Sequence, residues 1–372
     1  MNLLSLGFQE KVIFELRGLY NRYGYAQYKM SKFEEYDLYA KNKDFLISDS
    51  VITFMDFSGK LMALKPDVTL SIVKNSKDCP DSVQKLYYNE NIYRVAKGSG
   101  AFREMMQVGL ECLGAIDRYT ICEVLTLAVE SLKKISPNSV LNVSHLGLLT
   151  QILDYMGISD AIRGEILHAI GEKNPHDLLR ICQQAGVSQE SAETLAALSK
   201  LSGSPEQVLQ ALETLTASLL PKEELTQTQA LFSSLAPEIL DTIHFDFSVV
   251  DDIHYYNGIV FKGFVDGVPN SVLSGGQYDK LMHKMHRKSG AIGFAVYMDA
   301  LERLDTQAKA YDVDVAVLYD AQSNLNTVAE YTKKLRADGS TAMVQQCLPE
   351  GLRYRRMVKI CGSEVKEIEA NA

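Results

Sequence analysis

The sequence predicts an α+β chain: a largely antiparallel sheet interrupted by a block of helices, then a small α/β module. Three observations carry this. Strand-like runs (SVITFMDF, QKLYYNENIYRVA, EMMQVGLECLGA, IHFDFSVV, YYNGIVFKGFV, SVLSGG) are rich in alternating or β-branched residues and bounded by turn signals. Between about 150 and 240 the strand pattern gives way to helical periodicity. After Ala310 the order becomes strand, helix, strand, which suits a separate α/β unit. The expected boundaries are a core over 1–305, with its helical insertion at about 150–240, and a module over 311–372. At 372 residues, 46% hydrophobic and 23% charged, the chain has enough apolar side chain for both.

The elements follow in order. MNLLSLGFQEKVIFELRGLY places Glu10 and Glu15 inside an apolar pattern, which reads as an amphipathic helix ending near Gly24 rather than a signal peptide. SVITFMDF and LMALK flank Gly59-Lys60 as a hairpin. PDVTLSIVKNS reads as a helix started by Pro66 and Asp67, because Pro suits a first turn and Asp its positive end. QKLYYNENIYRVA and EMMQVGLECLGA are strands joined by KGSGAFR. RYTICEVLTLAVESLKKI (118–135) is a helix closed by Pro137, and LNVSHLGLL reads as a strand. In the insertion, Ser204 three residues before Gln207 marks a capping box. GAIGFAVYMDALERL runs from strand-forming into helix-forming residues. VDVAVLY, NLNTVAEYTKKLRADG and TAMVQQ complete the module.

Charge and cysteine use narrow the function. A net charge of −9 disfavours a primary nucleic-acid binder, which needs clustered cations. The one dense basic run, LRYRRMVK (352–359), reads as a solvated helix face. No stretch approaches the ~20 apolar residues of a membrane span. The six cysteines show no CxxC pairing and read as reduced thiols of a cytoplasmic protein. His283 and His286 form an HxxH pair in a loop without a nearby third ligand, so no metal is expected. There is no GxxxxGK[ST] and no GxGxxG after a strand, and no cofactor is expected.

Four segments concentrate polar residues on strands and strand ends: LKPDVT, NIYRVAKGSGAFREMMQVGLECLG, DDIHYYNG and SGGQYDKL. Glu111 lies among apolar neighbours in VGLECLG, and Gln107 shares its strand face by the period of two. A buried carboxylate requires donors, and nothing adjacent in sequence supplies them. A distant side chain or a ligand must. Each segment alone is weak evidence, and a lone buried glutamate is more often a structural hydrogen-bonding group.

Taken together and in this order, the segments resemble the catalytic core of class II aminoacyl-tRNA synthetases, and within that class the histidyl-tRNA synthetases. ALKPDVT is similar to that family's ALRPEGT, LYYNENIYRVAKGSGAFREMMQVGLECLG to its motif 2, IHYYNGIVF to LDYYTGTVF, SGGQYDKL to GGRYDGL and GAIGFAVYMDALERL to motif 3. The resemblance covers roughly residues 5 to 305. It implies a six- or seven-stranded antiparallel sheet flanked by helices, usually in a dimer. It also implies a histidine pocket. Asp67, Thr69 and Gln107 would hold the amino group, Glu111 with Tyr255 or Tyr256 the imidazole, and Arg94 the carboxylate.

The departures from the pattern fall on the ATP side. Ala300 stands where motif 3 carries a phosphate-gripping arginine, and Tyr297 where a small residue leaves room for adenine. Asp251 replaces an arginine, Gln277 replaces the arginine of GGRYDGL, and the motif 2 loop is shortened to VAKGSG, although Arg94 and Arg103 are kept. Losing one such donor costs about 3–4 kcal/mol of transition-state stabilisation, so adenylate formation is expected to be lost. YAQYKMSKFEEYD has no counterpart of the motif 1 proline, and the C-terminal module resembles only the first half of the anticodon-binding domain. A core that lost its ATP groups and kept an amino-acid pocket resembles the regulatory subunits of ATP phosphoribosyltransferase. That resemblance implies a non-catalytic partner of a short-form phosphoribosyltransferase, in a hetero-oligomer that senses histidine, with self-pairing through the core and no tRNA or membrane partner. The alternatives are a divergent histidyl-tRNA synthetase and a synthetase-like amino-acid ligase.

Overall fold

The computed structural model describes residues 6–46, 51–96, 100–216, 222–250, 255–304 and 311–370. The chain divides into two compact units, Met1–Leu304 and Asp305–Ala372. In the first, α1 (Phe8–Arg22) buries Val12, Leu16, Leu19 and Tyr20 and leaves Glu10 and Glu15 outside. β1 (Ala26–Gln27) follows. β2 (Phe33–Glu35), α2 (Tyr36–Lys41), β3 (Thr53–Met55) and β4 (Leu61–Leu64) build a small antiparallel sheet in the order β2-β4-β3. Its hairpin turns where Asp56 accepts the amides of Ser58 and Lys60 and Gly59 takes φ +82°, a conformation open to a residue without Cβ.

α3 (Thr69–Asn75) starts later than expected. Asp67 lies outside the helix and caps it, accepting the Leu70 amide at 2.8 Å. β5 (Val83–Val95) and β6 (Phe102–Gly114) form one long hairpin in which Arg94 lies opposite Arg103 and Leu86 opposite Glu111. α4 (Arg118–Ile135) is capped by Asp117, which accepts the Thr120 amide at 2.8 Å. The expected strand LNVSHLGLL is strand only through β7 (Ser139–His145). Its second half opens α5 (Leu146–Tyr155), because the His145 Nδ1 accepts the Leu148 amide at 3.2 Å and starts a helix.

α5 begins the helical insertion. It continues through α6 (Asp160–Gly171), α7 (Pro175–Gln184), α8 (Gln189–Leu198), α9 (Pro205–Leu215), α10 (Lys222–Ser233) and α11 (Pro237–Leu240). Ser204 caps α9. The insertion also contains a short strand that the periodicity does not reveal, β8 (Ser202–Gly203), paired with β9 (Ile243–Asp246). β10 (Ile259–Val265), β11 (Leu273–Gln277), α12 (Asp279–Lys284) and β12 (Gly290–Tyr297) close the unit, and Met298–Leu304 is a 3-10 helix. His283 belongs to α12 rather than to a loop, and His286 takes φ +58°.

Among the described residues the main sheet has nine strands in the order β1-β5-β6-β12-β11-β10-β7-β9-β8. The six from β5 to β7 pair antiparallel throughout, which is the expected antiparallel class II-like sheet. Parallel pairs at β1/β5 and β7/β9 extend it. Period-two alternation separates two faces. Val108, Leu110 and Cys112 pack into the larger core with α1 and α4, where Tyr20 bonds Ser131 at 3.0 Å. Leu86, Tyr88, Ile92 and Leu113 face the other way, into a second cluster with Ala63, Leu70, Ile72, Tyr255, Tyr278 and Leu281. The candidate site lies on this second face.

The second unit orders its strands β14-β13-β15-β16, from β13 (Val313–Tyr319), α13 (Leu325–Ala337), β14 (Ala342–Gln345), β15 (Tyr354–Cys361) and β16 (Glu364–Ala370). The expected helix face in LRYRRMVK is instead part of β15. Val358 and Ile360 alternate inward against Val315, Val317, Val328 and Leu335. The cations pair outward, Arg353 with Asp312 at 2.7 Å and Arg356 with Glu367 at 3.5 Å. No described helix is long and apolar enough to cross a membrane.

Candidate amino-acid pocket

Glu111 sits mid-strand in β6, 2% exposed, and the donors its sequence neighbours lack come from far along the chain. The Thr69 hydroxyl donates to Oε1 at 2.7 Å, and the Tyr278 hydroxyl donates to Oε2 at 2.5 Å. Burial raises its pKa to about 8 against the opposing pull of these two hydroxyls, and Asp67 nearby adds to the rise. Asp67 is itself raised by burial, while the Leu70 amide and the Arg94 guanidinium favour its charge. Two carboxyls thus share a poorly solvated space with one guanidinium. Arg94 is oriented by its Nε, which donates to the Pro66 carbonyl at 3.0 Å.

All seven residues singled out from sequence line a single narrow cavity of about 40 Å3: Asp67, Thr69, Arg94, Gln107, Glu111, Tyr255 and Tyr256. The local structure explains why they meet. Gln107 and Glu111 project from one face of β6, Arg94 from the facing side of β5, and Asp67 and Thr69 from the turn that enters α3. The tyrosines precede β10, with ring centroids 4.8 Å apart. The floor is kept open by residues without side chains. A Cβ on Gly293 would stand 1.8 Å from Glu111 Oε2, and one on Gly276 would stand 2.7 Å from the Tyr256 ring.

Sequence reasoning missed Tyr278, whose ring lies 5.7 Å from that of Tyr255, and also Tyr88 and Ser274 on the cavity wall. Tyr278 lies in SGGQYDKL directly after Gln277, where a tyrosine at a strand end carries no distinguishing local pattern. Gln277 is absorbed into the sheet: its Oε1 accepts the Ile259 amide at 2.9 Å. Tyr297 does line the cavity, at the end of β12 opposite Gln107, with its hydroxyl 2.5 Å from Ser274 Oγ. Ala300 packs against the larger core rather than into the cavity. Arg103 is exposed near the tip of the β5–β6 hairpin. Asp251 and residues 97–99 of the VAKGSG loop lie outside the described residues.

Chemically, the pocket offers two carboxyls, a guanidinium, an amide, several hydroxyls and aromatic faces. A zwitterion with a small polar ring uses each: acceptors for its ammonium, a cation for its carboxylate, and an acceptor with a hydroxyl for two ring nitrogens. Among the described residues, no group of three or more His, Cys, Asp or Glu is placed to hold a metal ion.

The sequence profile of the histidyl-tRNA synthetase family matches residues 7–301. The chain belongs to that family. Relatives carry two kinds of name. The ATP phosphoribosyltransferase regulatory subunit of Oceanobacillus iheyensis is 27% identical over 301 residues, covering 79% of this chain and 73% of its own. The histidine–tRNA ligase of Methanocaldococcus jannaschii is 28% identical over 292 residues, covering 77% and 69%. A solved ATP phosphoribosyltransferase regulatory subunit/histidyl-tRNA synthetase from Bacillus halodurans superposes with a TM-score of 0.78 at 22% identity, covering 95% of this chain and 94% of its own. The histidyl-tRNA synthetase fold therefore extends over nearly the whole chain.

Proposed function

We propose that this member of the histidyl-tRNA synthetase family is the regulatory subunit of an ATP phosphoribosyltransferase, the first enzyme of histidine biosynthesis. In this reading it holds histidine as effector and acts through a separate short-form catalytic subunit. The observation that carries the proposal is the asymmetry of the pocket. The groups suited to an amino acid, Asp67, Thr69, Arg94, Gln107, Glu111 and the tyrosine wall, converge on one cavity, while the Tyr297 ring, tied to Ser274, occupies its wall. Relatives bearing the regulatory-subunit name support the same reading. Sensing requires only that histidine bind two states of the complex unequally, by about 1–3 kcal/mol of coupling. The chain's own adenylate chemistry is lost in this reading, since a phosphate-binding cation is replaced by Ala300. Self-pairing through the core and a cytoplasmic location belong to the same proposal.

The test is affinity purification of the tagged chain from its source cells, with partners identified by mass. Recovery of a phosphoribosyltransferase subunit whose activity falls on histidine addition supports the reading. Charging of tRNA or ATP–pyrophosphate exchange by the chain alone overturns it. Those outcomes would favour the second reading, a divergent histidyl-tRNA synthetase, for which the similarity to the Methanocaldococcus jannaschii ligase speaks.

A further inference from the structure

The tyrosine wall of the pocket hangs on two short segments just beyond the ends of β10 and β11. Tyr255 and Tyr256 precede β10, and Tyr278 follows β11 at the entrance to α12. Between the segments, Asn257 and Asp279 meet in a reciprocal contact. The Asp279 amide donates to Asn257 Oδ1 at 2.8 Å, and Asn257 Nδ2 donates to Asp279 Oδ2 at 3.2 Å. The other oxygen, Asp279 Oδ1, accepts the Ala291 amide at 2.9 Å and so fixes the pair to the start of β12. Gly290 makes room for this, since a Cβ there would stand 2.7 Å from Asp279 Oδ1. Backbone bonds from Asn257 N to Gln277 O and from Tyr278 N to Ala291 O run alongside.

We propose that Asn257 and Asp279 are positioning residues. They form a clamp that registers the Tyr255–Tyr256 segment against Tyr278, and so sets how tightly the pocket holds its amino acid. Neither side chain lines the cavity. Both sit one residue from a tyrosine that does, so a shift at the clamp moves a ring. The ligand part of this inference rests on the histidine reading above; the clamp itself does not.

The hydrogen-bond pattern supplies a sharp test, because it survives an exchange of the two side chains. In the double variant Asn257→Asp with Asp279→Asn, the aspartate accepts the residue 279 amide, the asparagine Nδ2 donates back, and its Oδ1 still accepts the Ala291 amide. Either single variant breaks the pattern. Asn257→Asp sets two carboxylates face to face. In Asp279→Asn, whichever way the new amide turns, a donor meets a donor.

The experiment is amide hydrogen exchange on the full chain without ligand, followed over residues 255–260 and over α4 as an internal reference, with histidine calorimetry alongside. Each single variant should speed exchange at 255–260 and weaken histidine about tenfold, the loss of one hydrogen bond to a charged group, with α4 unchanged. The exchanged pair should return both readouts to within about twofold of the parent. The clamp is overturned if the single variants leave exchange unaltered, if they speed it equally in α4, or if the exchanged pair remains as fast as Asn257→Asp. Should the parent bind no histidine while the exchange pattern holds, the clamp stands and the histidine reading falls.

Discussion

Glu111 is the side chain on which the pocket's chemistry turns, and its protonation gives it a signature in stability. Burial raises its folded pKa to about 8 from 4.5. A carboxyl shifted upward binds more protons folded than unfolded, so its contribution to stability is complete below 4.5 and is lost as pH rises through 8. Glu111→Gln should therefore gain stability relative to the parent between pH 4.5 and 8, read as a rising difference in thermal midpoint. Glu111→Ala removes the acceptor of two hydroxyls and should weaken histidine tenfold to a hundredfold, on the order of 1.5–3 kcal/mol by calorimetry. Unchanged affinity would remove Glu111 from the site. Lys65, fully buried, pairs with Glu90 at 2.5 Å. Lys65→Met should cost about 2 kcal/mol in denaturant unfolding. This is below the cost for a fully buried pair, because the Glu90 side chain remains 18% exposed. At this scale the sequence was legible where a residue broke its local pattern: Glu111 among apolar neighbours was conspicuous. Tyr278 was not, since a tyrosine beside a strand end is ordinary until its hydroxyl is seen to meet a carboxylate 167 positions away.

Elements whose pattern is long and strongly periodic were legible to the residue, and α4 is the clearest, with 118–135 evident from its apolar spacing and Pro137. Short apolar runs were not. LNVSHLGLL carries no periodicity that separates strand from helix, and its division at His145 depends on one side-chain cap. The basic run in β15 misled for a related reason: cations are spaced compatibly with either element, and only the inward Val358 and Ile360 decide. The His145 cap is testable by pH. Burial lowers its pKa to about 4 from 6.5, so the imidazole is a neutral acceptor at pH 7. A base lowered in this way contributes stability that is complete above 6.5 and is lost as pH falls through 4. His145→Asn keeps an acceptor and removes the titration. Below pH 6 it should be more stable than the parent in thermal unfolding, and equal losses in both would show that the cap does not titrate.

The whole molecule has two units with separate cores, the second small: Val315, Val317, Val328, Leu335, Val358 and Ile360 carry most of it. A domain of about 60 residues is marginal by its surface-to-volume ratio, so calorimetry should resolve two transitions with the smaller unit melting first. A single transition at the calorimetric enthalpy of the full chain would show that the units unfold together. At this scale the sequence showed the antiparallel centre of the main sheet and the helical insertion. It did not show the parallel pairs β1/β5 and β7/β9: the two-residue β1 leaves almost no pattern, and IHFDFSVV, though legible as a strand, does not declare which strand it joins.

The aromatic lining has a practical consequence in spectroscopy. The chain contains no tryptophan and 19 tyrosines, so its near-ultraviolet absorption and circular dichroism belong chiefly to tyrosine. Five of those tyrosines, Tyr88, Tyr255, Tyr256, Tyr278 and Tyr297, border one cavity. A ligand entering it changes the polarity around a quarter of the molecule's chromophores at once. The native protein therefore carries its own optical reporter of occupancy, free of any label, with the remaining tyrosines as a constant background.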